Sequence, residues 1–130
     1  MILALLTLAI PFLNQEISRL NELASGLSWT PVENASCPGQ AKPVYGTIAR
    51  TAIYTSRGTV EEIRQRLDNP AAEMTGLIDR NTWKTQNGYT VNTFQSAAST
   101  GFRYTINLTS MQGNATKVCV VLWHNRKKGS

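Results

Sequence analysis

GFRYTINLTSMQGNATKVCVVLW, residues 101–123, is the stretch from which the fold of this chain can be read. Its first part alternates, with Phe102, Tyr104, Ile106 and Leu108 set between Arg103, Thr105 and Asn107. Successive side chains of a strand point to opposite faces, so the alternation predicts a strand burying one face of an antiparallel sheet. Gln112-Gly113-Asn114 supplies a turn, and Val118 to Trp123 (VCVVLW) is apolar enough to be the last, central strand.

Upstream, Asn87-Gly88 before Tyr89-Thr90-Val91 is a hairpin signal. Thr59 to Leu67 reads as a short helix: Thr59 stands three residues before Glu62, the spacing of a capping box, and Val60, Ile63 and Leu67 form its apolar face. Asn69-Pro70 ends it, because a residue before proline is driven out of the helical region. Val44 to Thr55 mixes β-branched and aromatic residues and reads as a strand, with a helical continuation as the alternative. Ser28 to Pro43 carries Pro31, Pro38, Gly39 and Pro43 and is a loop.

Asn14 to Leu27 is amphipathic, with Ile17, Leu20, Leu23 and Leu27 at helical spacing. Met1 to Leu13 is apolar throughout and uncharged. It is too short to span a bilayer, which takes about twenty residues, and it shows neither the basic start nor the cleavage site of a signal peptide. It is either the second half of a membrane helix that starts upstream, or a helix buried in a core. A run apolar all round that turns one-sided favours the first, with a kink at Pro11. The chain then divides into a stem, residues 1–27, and a globular head, residues 28–130. The class is α+β, an N-terminal helix packed on a three- to four-stranded antiparallel sheet with one short extra helix. The face Phe102, Tyr104, Ile106 and Leu108 is expected to pack on Ile17, Leu20 and Leu23.

Residues of type Lys or Arg number thirteen against eight of Asp or Glu, a net charge of +5. The cations are scattered except for Arg126, Lys127 and Lys128, without the aromatic-interleaved stripe of a nucleic-acid binder, so no nucleic-acid partner is expected. Cys37 and Cys119 are the only cysteines and have no zinc or redox spacing. A disulfide between them is expected, with two buried free thiols as the alternative. Asn34, Asn107 and Asn114 each open an Asn-x-Ser/Thr triplet, which decides nothing by itself. The single histidine, His124, reads as a surface residue, and Glu61 and Glu62 are neighbours that point about 100° apart around a helix and suit its first turn. Trp29, Trp83 and Trp123 read as packing residues. No catalytic, metal or cofactor constellation is expected. The chain reads as a non-enzyme that works through surfaces and assembly.

Three segments resemble type IV pilins, most nearly the IVb type. Residues 2–11 (ILALLTLAIP) are similar to the second half of the pilin stem, where the apolar helix meets a proline. Asn81-Thr82-Trp83 before Gly88-Tyr89-Thr90-Val91 resembles the opening of the pilin sheet. Residues 101–108 followed by Cys119-Val120-Val121-Leu122 resemble the paired late strands with a cysteine in the second. The resemblance implies a structural subunit of a pilus or related secretion or assembly system, extracytoplasmic and membrane-tethered, with roles in cell adhesion and protein–protein interaction. Its partners would be copies of itself or related pilin subunits, met through Ile2, Leu3, Leu5, Leu6, Leu8, Ile10, Pro11, Phe12 and Leu13. The alternative is a single-pass periplasmic accessory or sensor domain that stabilises a membrane-tethered regulator.

Overall fold

The computed structural model describes the backbone of residues 2–33, 37, 46–68, 77–79, 83–86, 88–96 and 101–125, and side chains for these apart from 2–12, 46, 47, 49, 77–79, 86, 96 and 125. Among the described residues the chain forms α1 (Ile2–Gly26), β1 (Thr30–Pro31), β2 (Gly46–Arg57), α2 (Val60–Asp68), β3 (Leu77–Asp79), β4 (Lys84–Gln86), β5 (Tyr89–Ser96), β6 (Phe102–Met111) and β7 (Ala115–Asn125). Six strands lie in the order β1-β2-β7-β6-β5-β3, and β4 also pairs with β5. Every pairing is antiparallel. The α+β class is as expected, but the sheet is wider than three or four strands. The expected strand over Val44–Thr55 is present as β2, which pairs along β7, and the extra width comes from three pieces, β1, β3 and β4, too short to show a pattern.

Local signals set the connections. Thr59 and Glu62 form the capping box of α2: the Glu62 amide donates to Thr59 Oγ1 at 3.2 Å, and Glu62 Oε1 accepts from the Thr59 hydroxyl at 3.3 Å. The β4–β5 hairpin sets Gln86 opposite Tyr89, with Gly88 at φ 83°. Asn87 lies outside the described residues, as do Asn69-Pro70. β6 and β7 are joined at Met111 and Ala115 through 112–114, where Gly113 (φ 78°) and Asn114 (φ 56°) take left-handed conformations. α1 ends in a Schellman cap: the Trp29 amide donates to the Ala24 carbonyl at 2.8 Å and the Ser28 amide to Ser25 at 3.2 Å. Ser28 holds the left-handed position, φ 58°, that glycine usually takes.

One face of the sheet carries the main core. Tyr104 stands opposite Leu122, Ile106 opposite Val120 and Leu108 opposite Val118, and all six side chains are buried. They share a cluster with Leu20, Leu23 and Ala24 of α1, Ile63 and Leu67 of α2, and Trp29, Tyr54 and Phe94. Ile17 is only partly buried against it. Two helices, not one, therefore supply the apolar side chains that complete this face.

The opposite face departs from expectation. Thr105 and Asn107 were to face solvent, yet they are 6% and 1% exposed. Their β7 partners are Val121 and Cys119, which form a second cluster with Trp123 and Cys37. The continuous run Val118 to Trp123 is what a strand buried on both faces looks like.

Candidate functional site

α1 carries the residues expected to make the assembly surface. At about 1.5 Å per residue its 25 residues extend about 37 Å. The helix runs on through Pro11, although proline cannot donate the usual bond to residue 7. Ile2, Leu3, Leu5, Leu6, Leu8, Ile10, Pro11 and Phe12 lie on its first half, and their side chains fall outside the described residues. Leu13 is half-buried against the main core. Among the described residues no helix is long and apolar enough to cross a membrane.

The second half of α1 is fastened to the sheet by a polar anchor. Glu16 is fully buried, and its carboxylate accepts a hydrogen bond from the Tyr104 hydroxyl, which also lies 3.0 Å from the Glu16 carbonyl oxygen. Arg19, one turn on, places its Nε 3.4 Å from the same carboxylate. Burial first, then the hydrogen bond to Glu16 and its charge, push the Tyr104 hydroxyl far above its ordinary pKa, with Arg19 opposing. The phenol is thereby held as a donor. A buried carboxylate without such partners would cost several kcal/mol. Glu16 was missed in the sequence because it is charged, yet its spacing to Leu20, Leu23 and Leu27 places it on the buried stripe.

Cys37 and Cys119 are joined in a disulfide, with Cα atoms 5.6 Å apart, well inside the range such bonds need. The bond holds Cys37 against the second face of the sheet. Beside it the Trp123 indole donates to Thr105 Oγ1 at 2.9 Å, and Thr105 and Thr93 share a hydroxyl contact at 3.1 Å. The Arg103 guanidinium lies 5.6 Å from the centre of the Trp123 ring. Among the described residues neither polar atom of the buried Asn107 amide has a partner. With Asn107 1% exposed, its triplet leaves no room for a glycan, whereas Asn114 is exposed on its turn.

The remaining candidates are structural. Exposed His124 packs edge-on against Phe102, with ring centres 5.0 Å apart. Trp29 packs on Tyr54 and Trp83 on Phe94, and the Trp83 indole donates to Asp68 at 2.8 Å. Glu61 contacts Arg64 and Gln65 along α2. No group of three or more His, Cys, Asp or Glu side chains among the described residues could hold a metal ion.

A cleft of about 390 Å³ opens between the end of α1, the end of β2 and α2. Its lining includes Arg57 and Arg66, which the scattered cations of the sequence did not single out. Comparison with known protein families, characterised proteins and solved structures finds no match to this chain.

Proposed function

We propose that the chain is a non-enzymatic, pilin-like structural subunit, extracytoplasmic and tethered by its stem, which assembles with copies of itself or related subunits through the apolar half of α1. The observation that carries this reading is the division of labour along one helix. Its second half is committed to the fold through Leu20, Leu23 and the Glu16–Tyr104 anchor. Its first half is an uncharged run, from Ile2 to Leu13, with no polar side to offer solvent. Burying such side chains between subunits yields about 1.5–3 kcal/mol for each one fully buried. The disulfide supports an oxidising compartment.

Light scattering of the full chain in detergent beside residues 14–130 tests the proposal. The shortened form keeps Glu16 and starts at Asn14, a residue type suited to cap the helix. It should be a folded monomer, while the full chain forms large assemblies. A full chain that only pairs with one other helix would point to the single-pass accessory instead. Unfolding of residues 14–130 would show that the apolar run is core and would end both tethered readings.

A further inference from the structure

We infer that the cleft beside α2 binds a small oxyanion, a ligand presenting a phosphate or carboxylate group. Two arginines from different elements line one concavity: Arg57 at the end of β2 and Arg66 in the last turn of α2. The hydroxyl residues Ser28, Thr30 and Thr55 line it too, with Leu27 as an apolar wall. Planar guanidiniums give oxyanions two parallel donors each, and hydroxyls add single ones. The volume, about 390 Å³, lies within the size range of small-ligand sites.

The charge at the cleft is only partly spent internally. Arg57 makes no ion pair among the described residues. Arg66 reaches Glu62 only at 3.8 Å, and both side chains are about half exposed. The turn beside the cleft is also held in place. The Gly58 amide donates to the Asn114 carbonyl at 2.8 Å, and Thr116 Oγ1 donates to the Gly58 carbonyl at 2.9 Å. These bonds pin the β2–α2 turn, so Arg57 and Arg66 project from fixed backbones and less order must be imposed on binding. At the other wall Ser28 sits at φ 58°, where glycine would be less strained, and it contributes a hydroxyl that glycine lacks.

The test is a titration of the full chain in non-ionic detergent with inorganic phosphate, followed by isothermal titration calorimetry, against sodium chloride at matched ionic strength. Saturable heat should appear with phosphate only. Arg57→Gln and Arg66→Gln, both at exposed positions, should each weaken phosphate binding by about tenfold. Lys84→Gln, on β4, should leave it unchanged. Ser28→Gly separates binding from folding, because it should raise the melting temperature and still weaken phosphate. Heat that grows without saturation, that chloride reproduces, or that survives both arginine substitutions would overturn the inference.

Discussion

Tyr104→Phe removes one oxygen from the centre of the molecule and should show how α1 is held. The ring is fully buried, so the substitution leaves packing against Leu122 and Phe94 nearly intact and deletes only the hydroxyl. What remains is the Glu16 carboxylate, 0% exposed, with one charge-assisted donor fewer. Hydrogen bonds to charged groups contribute about 1.5–3 kcal/mol, and a buried acceptor that loses its donor also bears its desolvation cost. Arg19 stays 3.4 Å away and keeps the carboxylate from being orphaned, so the loss should be about 2–3 kcal/mol. For a chain of this length that is a fall of roughly 6–15 °C in melting temperature.

Urea unfolding followed by circular dichroism gives the loss directly, with the slope unchanged if the denatured state is unaffected. Glu16→Gln is the companion: its amide oxygen still accepts from Tyr104, but the ion pair with Arg19 is gone. It should cost less, about 0.5–1.5 kcal/mol. The double variant should then reveal a coupling of about 1 kcal/mol or more between the two residues, as contacting groups in one network do. A loss within about 0.5 kcal/mol for Tyr104→Phe, or additive single effects, would mean that apolar packing alone docks the helix.

Four further outcomes follow from the same structure. Cys119→Ser should lower stability by about 2–5 kcal/mol, and the unreduced wild type should offer no alkylatable thiol. Ile106→Ala should cost about 2–5 kcal/mol, whereas Arg103→Ala should lose only its contact with Trp123, about 0.5–1 kcal/mol; equal small effects would contradict the observed register. Gly101→Ala puts a left-handed conformation (φ 84°) on a residue with a side chain and sets its Cβ 2.8 Å from His124 Nε2, so thermal unfolding should show a loss of about 1–2 kcal/mol. Burial raises the pKa of both Tyr54 and Tyr104 above the ordinary 10.0, so the folded state favours their protonated forms; that stability is complete below pH 10.0 and is lost as pH rises above it. Tyrosinate absorbance should lag in the folded protein and appear only with alkaline unfolding.

The strands with strong alternation and the helix with a capping box were legible because each rests on local chemistry. Phe102 to Leu108 bury the expected side, and Thr59 and Glu62 close the expected cap. The sheet's width was not legible, since three-residue pieces such as Lys84–Gln86 are too short to carry a period. They form because β5 offers them an edge, which is a tertiary fact. Thr105 and Asn107 read as solvent-facing because they are polar, and nothing near them in sequence says that Cys37 is tied to Cys119 on that face. The cleft was invisible for a related reason: Arg57 and Arg66 belong to different elements, and the turn at Gly58 and Thr59 brings them to one concavity.

The two faces of the sheet are closed by different chemistry, and the difference follows from what each partner segment can bury. α1 and α2 bring Leu20, Leu23, Ile63 and Leu67, enough apolar surface to hold themselves against Ile106, Val120 and Leu122, with one polar anchor to fix position. The segment around Cys37, from Ser28 to Pro43, carries Pro31, Pro38, Gly39 and Pro43, and past Trp29 and Val32 it has little apolar surface to give. Burial of Cys37 alone would not offset the backbone entropy of fixing it there, which costs about 1–2 kcal/mol per residue. The disulfide removes much of that freedom from the unfolded chain beforehand, through an 82-residue separation. Among the described residues the second cluster comprises Cys119, Val121 and Trp123 with Cys37 packed against it, and the covalent bond fixes Cys37 there as apolar packing fixes the helices on the other side.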